Sequence, residues 1–336
     1  MKGASLPLLL AAGLLGVAHA DPDREALVRT GASVLKVEAQ RPQGGFSLGS
    51  AVVVAPGRAV TNCHVTRDSS SIHLRRGELR LRVEAVTADV GHDLCLLHVP
   101  GLRAEVAALG STASLQRKQS VTALGFTGGL GLQSSNGNVV ALHRLDGARV
   151  VQSTNWFTSG ASGGGLFDDS MHLVGVLTFR LRGGEVHYFA APVEWITPLL
   201  SAEGVPVAPL PPEMLAYWQQ PTSRQPAFLQ AVALERDGRW AELEALALRW
   251  GETDALDPEA LTTQALALDR LNRLAEAQQA WERAVVMDPT AANAWYRLAQ
   301  IYTRQGDRER AATALQRLEA LDPDVARELR AQLKRS

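Results

Sequence analysis

The sequence predicts a multidomain protein: an all-β domain of the barrel or sandwich type, a proline-rich connector and an all-α helical repeat domain. Three observations carry this expectation. At 336 residues the chain is longer than one hydrophobic core usually organises, since domains average about 150 residues. From Gly31 to about Pro192 the apolar residues alternate or come in short runs broken by Gly, Asn and Asp, the pattern of many short strands joined by turns. Beyond Pro212 the spacing becomes helical, and Asp-Pro recurs at 257, 288 and 322. A period near 34 residues is the sign of stacked helix pairs.

The elements follow in order. Residues 1–20 carry Lys2, an apolar run from Leu6 to Val17 and then Ala18-His19-Ala20. That is the three-part layout of a secretory signal peptide, with cleavage expected before Asp21. The run is short for a bilayer, and no later segment reaches about 18 uninterrupted apolar residues. The mature protein is therefore expected to be periplasmic or secreted, with no stable membrane anchor after signal cleavage.

Within 21–203, strands are expected at Ala32–Val37, Ser47–Val54, Glu78–Val86, Leu94–Val99, Ser120–Phe126, Asn138–His143, Leu173–Phe179 and Val186–Ala191, with a closing helix at Val193–Leu200. Residues 204–224 open with Gly-Val-Pro-Val-Ala-Pro-Leu-Pro-Pro and are expected to form an extended, semi-rigid linker. In residues 225–336, the stretch 292–323 resembles a tetratricopeptide repeat, with Trp295, Leu298, Ala299, Tyr302, Gly306, Ala311, Leu315, Leu318 and Pro323 at that family's spacings. The preceding unit keeps Leu261, Ala265, Leu268, Ala277, Trp281, Ala284 and Pro289 but departs at Gln264 and Asn272, and the unit around Gly238 is degenerate. Small residues at Ala277 and Ala311 let paired helices approach. The aromatics read as core packing, and the array as a groove for a protein or peptide partner. Leu321 onward reads as a polar capping helix.

Charge excludes some functions. With 34 basic and 35 acidic residues and a net charge of -1, neither nucleic-acid binding by counterion release nor an electrostatic membrane anchor is expected. Only Lys2, Lys36, Lys118 and Lys334 are lysines, and the arginines are interleaved with acids. The two cysteines, Cys63 and Cys95, admit a disulfide in an exported chain or two buried thiols. A zinc site from Cys63, His64, His92 and Cys95 lacks close paired-ligand spacing.

Three segments carry chemistry. Gly160-Ala-Ser162-Gly-Gly-Gly places a serine among glycines before an alternating strand. Acyl transfer needs an exposed hydroxyl on a tight turn, with backbone N–H groups facing the developing oxyanion; Gly160 and Ser162 are the expected donors. The run Gly49 to Val65 delivers His64 at the end of a hairpin, and serine needs such a base. In His92-Asp93-Leu-Cys-Leu-Leu, Asp93 opens a buried strand, where a carboxylate can fix the imidazole tautomer. Asp89 is the competing acid, read as a turn residue. The glycines at 125, 128, 129 and 131 precede no helix-forming stretch, which weakens a phosphate-loop reading.

Residues 31 to about 200 resemble trypsin-like serine proteases of the HtrA type, in the chain order His64, Asp93, Ser162. Leu124-Gly-Phe-Thr-Gly-Gly-Leu-Gly, Gly137-Asn-Val-Val-Ala-Leu-His-Arg144 and Tyr188-Phe-Ala-Ala-Pro-Val-Glu-Trp195 add to the likeness. The resemblance implies a double β-barrel with the triad in the cleft between barrels, no zymogen cleavage, and no metal or organic cofactor. It also implies a specificity pocket involving Trp156, Leu177, Thr178, Phe179 and His187, whose bulk at Trp156 speaks against a preference for basic side chains. Gly165 stands where the family usually has proline, Cys63 replaces a small or amide residue, and helical repeats take the place of a PDZ-like segment. If His64 and Asp93 meet, Cys63 and Cys95 flank the meeting point; a bridge there is expected to stabilise by roughly 3 to 5 kcal/mol. The function expected is an exported serine endopeptidase acting on polypeptides. The alternative is an inactive protease scaffold serving as a repeat-domain adaptor.

Overall fold

The computed structural model describes residues 24–129, 131–181 and 187–333; the expected leader lies outside the described residues. After helix α1 (Arg24–Gly31) come β1 (Val34–Gln40), β2 (Phe46–Ala55), β3 (Arg58–Asn62) and the one-turn helix α2 (Cys63–Thr66). They are followed by β4 (Ser71–Arg76), β5 (Leu79–Arg82), β6 (Ala85–Asp89) and β7 (Leu94–His98). The second half of the β-domain comprises β8 (Ser120–Gly125), β9 (Gln133–Leu145), β10 (Ala148–Ser153), β11 (Gly165–Phe167), β12 (Leu173–Leu181) and β13 (His187–Pro192). Helix α3 (Ile196–Ser201) closes it, and a two-residue β14 (Val205–Pro206) opens the connector.

These strands form two antiparallel systems. One is an eight-stranded sheet in the order β14-β6-β7-β3-β2-β1-β4-β5, the other a closed six-stranded barrel, β10-β13-β12-β11-β8-β9. The expected run Glu78–Val86 is in fact two strands, because β5 pairs with β4 while β6 pairs with β7. The short strands β4, β10, β11 and β14 escape sequence reading, while β3 is the second arm of the hairpin expected over Gly49 to Val65. Strand β7 is buried on both faces, which explains why it reads as a continuous apolar run instead of an alternation. Between the two systems, the Glu194 carboxylate accepts from Ser111 Oγ (2.8 Å), Thr112 N (2.7 Å) and Thr112 Oγ1 (3.0 Å). It thereby fastens the crossing segment to the end of β13.

The connector begins extended, as its prolines require, then turns at Ala216–Gln220, and it is not a free spacer. Strand β14 pairs with β6. Leu210 N–H donates to Arg67 O (2.6 Å), Tyr217 N–H donates to Gly91 O (2.9 Å), and Arg67 Nη2 donates to the carbonyls of Pro212 (3.2 Å) and Met214 (3.1 Å). These contacts hold the stretch against β6, Arg67 and Gly91.

Helices α4 (Ala227–Arg236), α5 (Trp240–Thr253), α6 (Pro258–Arg270), α7 (Leu274–Met287), α8 (Ala292–Gln305), α9 (Arg308–Leu321) and α10 (Pro323–Leu333) follow. Each Asp-Pro marks a turn into a new helix. Asp257 caps α6 by accepting from Glu259 N with Pro258 in the first turn, and Asp322 Oδ1 accepts from Val325 N (3.1 Å). The array has its own core around Trp281, Leu298 and Leu318. Its first pair does not stand apart: Phe228, Leu229, Leu243 and Trp250 share one core with Phe179, Phe189 and Trp195 of the β-domain.

Candidate active site

The site is assembled where the turn between β6 and β7 meets the end of β3. The tight turn at 90–93 puts Asp93, a non-glycine residue, at φ +62°, and its N–H donates to Val90 O (3.1 Å). Its carbonyl is then free to accept from Cys63 N (3.1 Å) and Asn62 Nδ2 (3.1 Å). The carboxylate, 1% exposed, faces His64 with both oxygens. His64 N–H donates to Oδ1 (2.8 Å), and Nδ1 meets Oδ2 at 2.6 Å. That contact places the proton on Nδ1 and leaves Nε2 as the free base. Cys63 and Cys95 form a disulfide with Cα atoms 4.9 Å apart, fully buried beside Val90 and against Leu210 of the connector.

Ser162 sits on the opposite wall in a turn with little room. Gly163 has φ +87°, and a Cβ there would stand 2.1 Å from Ser50 O, so only glycine fits. Ser50 holds the turn from below: its N–H donates to Ser162 O (2.8 Å), and its Oγ donates to Gly160 O (2.8 Å) while accepting from Phe126 N (2.8 Å). Gly128 N–H donates to Ser159 O (2.7 Å). In a trans peptide the N–H points opposite to the C=O, so this bond sets the direction of the Gly160 N–H. Ser162 Oγ itself donates to Thr178 O of β12 at 3.4 Å.

The expected pocket residues divide. Trp156, 55% exposed, and Leu177 line a small cavity of about 30 Å³ next to Ala161, with Gly125 and Ser135 also in its wall. Thr178 and Phe179 do not present their side chains to that cavity. The Thr178 hydroxyl donates to Val176 O (2.7 Å) and accepts from Asn62 Nδ2 (3.2 Å). Phe179 is stacked on Phe189 (centroids 4.7 Å). Alternation turns Thr178 away from the face of Leu177, and the register shift between Leu177 and Phe179 takes Phe179 off that face as well. The side chain of His187 lies outside the described residues.

Asp89, the competing acid, does not reach His64. It ends β6, and its Oδ2 lies 2.6 Å from His92 Nδ1, while His92 Nε2 lies 3.0 Å from Asp146 Oδ2 in the β9–β10 turn. Burial opposes charging His92, but these two carboxylates outweigh it and raise its pKa. The pair clamps the first sheet to the barrel. Among the described residues, no cluster of three or more His, Cys, Asp or Glu is placed to hold a metal ion.

Sequence reasoning missed Trp218. The connector lays this ring against Asp93 and His64: Nε1–H donates to Asp93 Oδ2 (3.1 Å), the ring stacks on Phe179 (4.9 Å, 9° between planes), and it meets His64 at 5.6 Å and 87°. The one available signal was a tryptophan soon after a proline-rich stretch that otherwise reads as spacer.

With the geometry in place, likeness to known proteins is informative. Residues 49–176 match the trypsin-like peptidase domain family, and residues 262–326 match a tetratricopeptide repeat family. A protein named probable periplasmic serine endoprotease DegP-like from Pseudomonas fluorescens is 30% identical over 163 residues, covering 46% of this chain and 34% of that protein. The protein of the same name from Halomonas elongata is 29% identical over 157 residues, covering 44% and 33%. The chain thus spans about a third of the length of these relatives. Among solved structures, the active form of the Rv3671c protease from M. tuberculosis superposes with a TM-score of 0.51 at 22% identity, over 61% of this chain and 98% of that one, a likeness of fold. Trp218 lies outside both matched segments.

Proposed function

We propose that this chain, which joins a trypsin-like peptidase domain to tetratricopeptide repeats, is an exported serine endopeptidase working through His64, Asp93 and Ser162. The observation that carries the reading is the His64–Asp93 contact, Nδ1 to Oδ2 at 2.6 Å with the backbone N–H of His64 on Oδ1 at 2.8 Å. A buried carboxylate doubly tied to one histidine leaves Nε2 as a base toward the cleft, where Ser162 stands on its glycine turn.

The mechanism follows from these groups. A substrate carbonyl enters between His64 and the 160–162 turn. The Ser162 hydroxyl leaves its long contact with Thr178 O and passes its proton to His64 Nε2 as Oγ attacks the carbonyl carbon. The oxyanion is met by the N–H groups of Gly160 and Ser162. The imidazolium, stabilised by Asp93, gives its proton to the departing amine, leaving an acyl-enzyme on Ser162. Water, deprotonated by His64, then releases the acid and restores the serine.

The repeat array recruits a protein, as substrate, regulator or another subunit. The export reading rests on the leader-like residues 1–20 and on the periplasmic relatives. No helix among the described residues is long and apolar enough to cross a membrane. The test is labelling with a fluorophosphonate probe. Labelled wild type with unlabelled, folded Ser162→Ala supports the peptidase. A folded wild type that never labels favours the adaptor, the reading consistent with a Ser162 hydroxyl directed at Thr178 O.

A further inference from the structure

We propose that Trp218, contributed by the connector, is a positioning residue of the triad: its indole N–H on Asp93 Oδ2 and its edge against His64 hold the acid and the base in register. The inference rests on the peptidase reading only for its kinetic consequence; the geometric part stands independently.

Asp93 Oδ2 is shared by two donors, His64 Nδ1 at 2.6 Å and Trp218 Nε1 at 3.1 Å. An indole N–H can only donate, so Trp218 cannot compete with Asp93 for the imidazole proton. It occupies one lone-pair direction on Oδ2 and leaves the other for His64. In a site this buried, a hydrogen bond to a carboxylate is worth more than one in water. A mobile ring could not serve this purpose, and Trp218 is not mobile in its packing. It is stacked on Phe179, which is itself stacked on Phe189. Its backbone is held from both sides: Tyr217 N–H on Gly91 O (2.9 Å) precedes it, and Gln225 Nε2 donates to Trp218 O (2.9 Å) from the residue pair that leads into α4.

This arrangement differs from a simple linker. The contact bridges 125 residues of sequence and belongs to a segment beyond the peptidase domain, so that domain alone presents Asp93 with one donor fewer. The T-shaped contact at 5.6 Å also limits the imidazole to orientations in which Nδ1 stays on Asp93. During acylation His64 becomes cationic, and Trp218 keeps Asp93 from swinging toward water at that moment.

The experiment uses the full chain with Trp218→Phe, which keeps a stacking ring without the N–H. A second variant replaces residue 218 by 3-benzothienylalanine, which keeps the indole shape and puts sulfur in place of N–H. Each is expected to lower kcat about tenfold with KM changed by less than about twofold. The acid limb of kcat/KM should move to higher pH, because a carboxylate relieved of one donor acts more strongly on the imidazolium. In parallel, the low-field proton resonance of His64 Nδ1–H, followed by NMR in the Ser162→Ala background, should shift in both variants; this readout needs no turnover. An active wild type whose two variants keep kcat, pH profile and resonance overturns the role of Trp218. A wild type without activity whose resonance still moves supports the positioning role and overturns the peptidase reading instead. If Trp218→Phe does not fold, the sulfur isostere alone decides.

Discussion

Asp93 combines several demands in one residue. Its left-handed backbone turns the carbonyl toward Cys63 and Asn62 while its carboxylate turns toward His64, and neither feature shows in the residue types alone. Asp93→Asn keeps the shape but offers an amide where His64 Nδ1 needs an acceptor, so kcat is expected to fall on the order of 10³ to 10⁴-fold with little change in KM. Steady-state kinetics at several pH values check this, and a variant within about tenfold of wild type would remove Asp93 from the triad. Gly163→Ala forces a methyl to 2.1 Å from Ser50 O at φ +87°. It should displace Ser162 and abolish fluorophosphonate labelling even where circular dichroism shows a folded chain; normal labelling would mean that the turn can yield. At this scale the sequence was informative where chemistry restricts residue type: a serine between glycines, a histidine at a hairpin end, an acid before a buried strand. It was silent on Trp218, Ser50 and Gly128, whose parts come from what they touch.

Strand β3 pairs with β7, setting Thr61 opposite Cys95 and Asn62 opposite Leu94. That register is what brings Cys63 to Cys95 and His64 to Asp93 together. The disulfide closes a loop with a sequence separation of 32, and the chain-entropy estimate gives about 3 to 4 kcal/mol of stabilisation. The double variant Cys63→Ser, Cys95→Ser should therefore unfold at lower denaturant by that amount, and reductant should lower the wild type to the same midpoint. Equal midpoints with and without reductant would show that the bridge contributes nothing. In the array, Leu298 is buried in α8; Leu298→Ala is expected to cost about 2 to 5 kcal/mol of array stability, read by loss of helical signal, while Ser162 labelling persists. Helices were legible because each carries its period within its own sequence, and Asp257, Asp307 and Asp322 add caps at α6, α9 and α10. Strands β4, β10 and β11 were not, since short strands gain their stability from partners elsewhere in the sheet.

The two domains meet through specific contacts as well as a shared core. His143, buried in the barrel and stacked on Phe228 (centroids 4.3 Å), contacts Glu259 of α6 through Nδ1 (2.8 Å) and Gln152 through Nε2 (2.9 Å). Burial works against its charged form, yet the charge and hydrogen bond of Glu259 prevail and raise the pKa above the usual 6.5. Arg117 opposes them from the barrel side. A raised histidine contributes stability that is complete below about pH 6.5 and is lost as pH climbs through the folded value. The stability difference between wild type and Glu259→Gln should thus be largest in mild acid and shrink toward alkaline pH. A difference independent of pH, measured by denaturant titration from pH 5.5 to 9, would show that His143 stays neutral. Arg144 to Asp254 (3.1 Å) and Lys118 Nζ to Leu321 O (3.1 Å) add contacts at both ends of the array. A cavity of about 270 Å³ lies between Arg117 and residues of α6, α7 and α8. Part of the groove read from the sequence as open to a partner is therefore walled by the barrel.

Residue order by itself determined a β-rich half and a helical half with a period near 34, and it nominated His64, Asp93 and Ser162 as the reactive residues, of which His64 and Asp93 are in contact. Periodicity and reactive residue types are local properties that need no partner to be read. The tertiary structure alone decided which way Thr178 and Phe179 point, and that the proline-rich stretch docks and delivers Trp218 to Asp93 and His64. Those outcomes depend on strand register and on packing between segments up to 125 residues apart. Contacts of that range leave no signature in either segment, because their energy exists only once both surfaces are folded and brought together.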